Sequence, residues 1–329
     1  MRASPAHLRL GITFALSLAS VAIHAAPTAG TNWVENFEQA KQTATTGKKD
    51  LLMDFTGSDW CSWCIKLRKE VFDQAAFKEA APKDFVLVEL DYPQDDTKLS
   101  VEVKAQNARL QKEFAIRGYP TIVLADAAGR PYAETGYQEG GPEKYLTHLQ
   151  ELRKIKVLRD QAFAKAEGVT GVDRALQLAA GLKAMDETLV AKHYRPVLDE
   201  ITKLDPADKS ELASIRFKGD LAGLQETMAT VAKSGGSTGV RKPVEDFITA
   251  HPKITVEQRQ GTLMGLLNFY RPPQDNETVL KLMDEVKALK SDSPVGQQAA
   301  AIGDRVQKMI ADAKAGAKPA GDKPSAEAK

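Results

Sequence analysis

The sequence predicts an α/β domain in its first half and an all-α domain in its second. Three observations carry this. Two short apolar runs flank a helical pattern, the layout of a βαβ unit. Strand-like runs then cease at about Val157. Beyond that point apolar residues recur at i, i+3, i+4 and i+7 between clusters of turn residues, the period of amphipathic helices.

Each element follows from local pattern. Trp33, Phe37 and Ala40 stand at helical spacing in a polar stretch, which predicts a helix from Trp33 to about Thr46, stopped at Gly47-Lys48-Lys49-Asp50. Leu51 to Thr56 reads as a short apolar strand. Cys61 to about Ala80 reads as a helix that buries Ile65, Val71 and Phe72. Phe85 to Leu90 is a second buried strand. Asp95 to Ala115 is charged and helical, Tyr119 to Leu124 is a third strand, and Ala127-Ala128-Gly129-Arg130 turns into a fourth from Pro131 to Gly136. Gly140-Gly141-Pro142 opens a helix to about Val157, with proline at a favoured first-turn position.

The second half has helical faces at Tyr194, Val197, Leu198 and Ile201, at Leu263, Leu266, Leu267 and Tyr270, and at Val279, Leu282, Met283 and Val286. Breakers separate them at Gly171, Asp205-Pro206, Ser234 to Ser237, His251-Pro252, Arg271-Pro272-Pro273 and Ser293-Pro294. The rhythm is one of hairpins without a fixed repeat period. From Ala313 to Lys329 the chain is Ala, Lys, Pro and Gly with no apolar face, the composition of a disordered tail.

The N-terminus carries Arg2, His7 and Arg9, then an apolar stretch from Leu10 to Ile23, then Ala25-Ala26-Pro27. That order is the pattern of a secretory signal peptide cleaved near Ala25, and the apolar stretch is shorter than the roughly 20 residues a membrane-spanning helix needs. The expected division is a signal peptide at 1–25, an α/β domain at 26–157, a helical domain at 158–312 and a tail at 313–329. A periplasmic or secreted location is the consequence, with no stable membrane insertion after cleavage. The formal charge of +1 drops by two when Arg2 and Arg9 leave, so no global field favours nucleic acid or an anionic membrane.

Cys61 and Cys64 are the chain's two cysteines, in Trp60-Cys61-Ser62-Trp63-Cys64 directly after the first apolar strand. Structural zinc asks for four ligands, and His148, His193 and His251 are isolated, so no metal and no cofactor is expected. A structural disulfide over so short a loop would restrain the unfolded chain very little. An exported chain with a single close cysteine pair points instead to thiol exchange.

Asp54-Phe55, then Trp60-Cys61-Ser62-Trp63-Cys64, then Ile116-Arg117-Gly118-Tyr119-Pro120-Thr121, then Gly136 resemble the successive motifs of the thioredoxin-like fold family. The likeness covers about Trp33 to Val157. It implies a central mixed sheet flanked by helices and a thiol-disulfide oxidoreductase, reductase or isomerase. It also implies Cys61 as nucleophile at a helix start, Cys64 as the resolving thiol, and a cis Pro120 whose neighbour Tyr119 offers backbone to an extended substrate. Asp54 is open to two readings: a buried acid that takes the proton of Cys64, or a strand-end carboxylate bonded to loop amides between Thr56 and Asp59. Trp60 and Trp63 are candidate substrate contacts, with core burial the alternative for Trp60.

Two departures from the common pattern stand out: one extra residue between Asp54 and Cys61, and Leu87 where many thioredoxins carry a lysine near the acid. Ser62-Trp63 brings no cation into the motif, which predicts a moderately lowered thiol pKa and a fairly reducing couple. Lys66, Arg68 and Lys69 read as a solvated face. Expected partners are protein disulfide substrates and an electron donor of the cell envelope. The competing reading is a helical binding or scaffold protein whose thioredoxin-like domain docks partners without turnover.

Overall fold

The computed structural model describes residues 33–271 and 274–314; the expected signal peptide at 1–25 and residues 315–329 of the expected tail lie outside them. Five strands form one sheet in the order β1-β3-β2-β4-β5: β1 Trp33–Val34, β2 Asp50–Thr56, β3 Phe85–Asp91, β4 Thr121–Ala125 and β5 Pro131–Thr135. β3 pairs in parallel with β1 and β2, while β2/β4 and β4/β5 are antiparallel, so the sheet is mixed.

The strands alternate between two covered faces, as the period of two requires. Leu51, Met53 and Phe55 pack with Val86, Val88 and Leu90 under α1 (Phe37–Gly47) and α4 (Val101–Glu113). Leu52, Leu87, Ile122 and Leu124 point the other way, beneath α2 (Ser62–Leu67), a π-helical turn (Arg68–Phe72), α3 (Ala75–Asp84) and α5 (Gly141–Glu167). Asp54 and Glu89 are cross-strand partners, and by the same alternation they share this second face.

Several local expectations need correction. Trp33 and Val34 form a strand against Leu87 and Val88 rather than the start of a helix, and α1 begins after Asn36, whose side chain caps the Gln39 amide. The helix expected from Cys61 to Ala80 is broken into three pieces. Its wide π turn changes the facing of the residues that follow it, and Val71 and Phe72 enter the core; Ile65, in α2 before the turn, stays 46% exposed. The third strand begins at Thr121, after Tyr119 and Pro120.

Helix α5 runs on unbroken through Val157, where the domain boundary was expected, to Glu167. Beyond it lie α6 (Gly171–Lys183), α7 (Glu187–His193), α8 (Arg195–Leu204), α9 (Ala213–Gly235), α10 (Arg241–Ala250), α11 (Val256–Met264), α12 (Asn276–Leu289) and α13 (Pro294–Lys314). α13 takes in Ala313 and Lys314, the first two residues of the expected tail. The apolar core beneath α2, α3 and α5 continues through Ala175, Leu178, Leu182, Leu189, Tyr194, Leu198 and Ile201 to Ile215 at the start of α9. A third core begins at Leu224 in the same helix and holds Val279, Leu282, Met283 and Val286. None of the described helices is long and apolar enough to cross a membrane.

Candidate active site

Cys61 and Cys64 are joined as a disulfide at the start of α2, with Cα atoms 5.2 Å apart. Cys61 is the N-cap, and its sulfur accepts the amide N–H of Cys64 at 3.2 Å. A backbone donor aimed at sulfur at a helix start favours the thiolate once the pair is reduced. The loop from β2 is built by backbone turns, with the Trp60 and Cys61 amides donating to the Gly57 carbonyl. Asp91, at the end of β3, accepts from the Ser58 amide and hydroxyl. Gly57 permits close approach here, since a Cβ on it would lie 2.6 Å from the Trp60 ring.

Aromatic side chains rise on both sides of the disulfide. Trp60, 43% exposed, donates its ring N–H to the Tyr92 carbonyl and meets Tyr119 edge-on, ring centres 5.7 Å apart. It is therefore a rim residue, not a core one. The contact sets the residue before Cys61 against the residue before Pro120, and the Tyr119–Pro120 bond is cis. On the other side Trp63, 54% exposed, lies 5.4 Å from Tyr137, and the Lys66 ammonium sits over both rings. Tyr137 escaped the sequence reading and Lys66 entered it only as part of a solvated face, for nothing in their local pattern links residues so far apart in the chain.

Asp54 is 2% exposed on β2. The strand-end alternative does not hold, because the loop amides go to Asp91 and to the Gly57 carbonyl, and Asp54 Oδ1 has no hydrogen-bond partner. Burial pushes its pKa up to about 8, against a smaller downward pull from Arg68. Arg68 corrects another expectation: rather than lying on a solvated face, its guanidinium turns inward, 2.6 Å from Glu89 Oε1 and 3.9 Å from Asp54 Oδ2. The register corrects the expectation for Leu87 as well: Leu87 faces Leu52, and the β3 residue across from Asp54 is Glu89, so that strand brings a second carboxylate and the cation comes from the helix. Glu89 is half-hidden, and burial raises its pKa too. Its signal in the sequence was a charge inside an apolar run, the same signal that marked Asp54.

His148, His193 and His251 each have partners away from the cysteines. His148 bonds Thr135, His193 packs on Phe114, and His251 bonds Asp220 and the Phe247 carbonyl. Among the described residues no three His, Cys, Asp or Glu side chains gather in a way that could hold a metal ion.

A mixed sheet with a disulfide capping the helix after its central strand, and a cis proline whose preceding residue meets the residue before the first cysteine, defines the thioredoxin-like class of thiol-disulfide oxidoreductases. A family model described as a thioredoxin-like domain matches residues 37–153. The disulfide bond reductase DsbH of Chlamydia pneumoniae is 31% identical over 122 residues, 37% of this chain and 73% of that protein. The thioredoxin-related protein DsbJ of the same organism is 30% identical over 303 residues, with 82% of this chain and 86% of that protein covered, so this likeness takes in helical residues beyond the sheet. The thiol:disulfide interchange protein DsbD of Actinobacillus pleuropneumoniae is 32% identical over 118 residues, 35% of this chain and 18% of that protein. A solved structure of a DsbH oxidoreductase shares 28% identity over 41% of this chain and 94% of that one, with a TM-score of 0.36. The chain belongs to the thioredoxin-like family of thiol-disulfide oxidoreductases.

Proposed function

We propose that the protein is an exported disulfide reductase that acts on other proteins. The observation that carries this reading is the Cys61–Cys64 disulfide at the N-cap of α2, set between the Trp60/Tyr119 and Trp63/Tyr137 pairs. In the reduced protein the Cys61 thiolate attacks one sulfur of a substrate disulfide. The other substrate sulfur leaves as a thiolate and takes a proton from water. Cys64 then gives its proton to Asp54 and attacks the Cys61 sulfur. The Cys61–Cys64 bond forms, the mixed disulfide breaks, and two electrons have passed to the substrate. A dithiol donor of the cell envelope reduces the pair again.

Trp60, Trp63, Tyr119 and Pro120 form the surface on which an extended substrate lies, with Tyr119 offering backbone hydrogen bonds and the tryptophans apolar area. The reducing direction is supported by Ser62-Trp63, which brings no cation between the cysteines, and by the reductase name of the DsbH relative. Export is supported by the charged, then apolar, then small-residue order of residues 1–25.

The test is reduction of insulin with dithiothreitol as donor. Cys61→Ser abolishes the catalysed rate, and Cys64→Ala accumulates a mixed disulfide that mass spectrometry identifies from cell-envelope extracts. A wild-type rate equal to the uncatalysed one, with a disulfide no envelope donor reduces, would instead mark a docking platform.

A further inference from the structure

The carboxyl of Asp54 shares one cation with a second acid, and that arrangement has two independent supports. First, the helix after the cysteines widens at Arg68–Phe72, where the Asp73 amide reaches back five residues to the Arg68 carbonyl. Such π turns recur at functional sites. Arg68 opens this one while its own amide still donates to the Cys64 carbonyl, an α-helical bond that sets it on the inward face of Cys64, one turn below the sulfur. Second, the guanidinium is clamped. Its carbon lies 5.6 Å from the centre of the Trp33 ring, and Nη2 bonds Glu89. Asp54, directly across the strand pair from Glu89, receives the same Nη2 only at 3.9 Å and keeps Oδ1 unpartnered.

We propose that Arg68 and Glu89 are positioning residues that act in opposite senses on the proton of Asp54: Arg68 draws it off, and Glu89 restores it by holding the guanidinium away. This rests on the reading of Asp54 as the acceptor of the Cys64 proton. The groups that face Asp54 are Arg68 from the helix, Glu89 and Asp91 from β3, and Tyr145 from α5, while its partner on β4 is Ile122, an apolar residue. Asp91 is committed to Ser58, and Tyr145 donates to the Gly136 carbonyl. Arg68 is the sole cation in this set. Two carboxylates competing for one guanidinium under low-dielectric cover titrate as a coupled pair, and removing either partner moves the acid that remains.

The experiment tracks the carboxyl itself, by the infrared C=O band that Asp54→Asn removes from the oxidised full-length protein, across a pH series. Arg68→Gln shifts the midpoint of that band upward by about one pH unit or more, Glu89→Gln shifts it downward by a comparable amount, and Arg68→Lys restores most of the wild-type value. Shifts of the same sign in the two glutamine variants, or none, overturn the proposal. If Arg68→Gln does not fold, the downward shift in Glu89→Gln alone decides. The pH profile of insulin reduction is read alongside. Profiles that move with the band support both inferences; opposite band shifts with an unmoved profile support the shared cation and overturn Asp54 as the acceptor.

Discussion

At the scale of the residue, Asp54 concentrates the cost of the site. Its pKa is near 3.8 in an unfolded chain and is pushed up to about 8 in the fold, so the folded state binds this proton more tightly. Its contribution to stability is therefore fully present below about pH 4 and is lost as pH rises toward 8. Asp54→Asn should be more stable than wild type above that window, by on the order of 3 kcal/mol, with the gap closing near pH 4. Urea midpoints measured at both ends of the range check this, and an equal gap at both would contradict it. The acid was legible as a charge in an apolar strand. What the linear pattern could not carry was its setting, since Arg68 stands four residues after Cys64 in a run of basic residues that reads as solvent-facing until the fold puts that face inward, and Glu89 becomes a neighbour only through strand register.

At the scale of the element, α5 ties the sheet to the helical half. Arg159, 1% exposed, donates to Asp126 Oδ2 at 3.0 Å and to the Tyr194 hydroxyl at 2.7 Å, and Tyr194 donates in turn to the Pro131 carbonyl. One buried guanidinium thus joins the β4–β5 turn, α5 and the start of α8. Arg159→Ala leaves Asp126 with Arg130 and two loop amides but without its buried cation, and should cost about 2–3 kcal/mol, read as a fall in the denaturant midpoint. The βαβ unit, the β4–β5 hairpin and the faces of α8 and α12 were legible, because each is a local period between turn residues. β1 was not, being two residues whose pairing with β3 is wholly non-local. Nor was the length of α5, whose charged sequence continues past Val157 without a breaker until Gly168.

At the scale of the whole molecule, apolar packing divides the chain differently from its strand content. Beside the core under α1 and α4, one core runs from the other face of the sheet into α9, and another runs from α9 to α13. We propose that the smallest autonomous redox unit extends to about Gly235 rather than to Val157. A chain ended after Val157 loses Ala162, Ala166, Leu178 and Leu182 from its core and should be insoluble or unfolded by circular dichroism. One ended after Gly235 should keep most of the insulin-reducing rate. A soluble, active shorter fragment would refute this division.

The margins of the sheet have a consequence of their own. β1 offers just two residues, and β5 lies against α7, with Lys192 reaching Glu134. Neither border is a long, bare ribbon on which another chain could template itself. Under the proposed function an incoming polypeptide adds its strand at the stretch before Pro120 instead, so the same economy that discourages fibrous self-association would steer extended clients to where their disulfides can be opened.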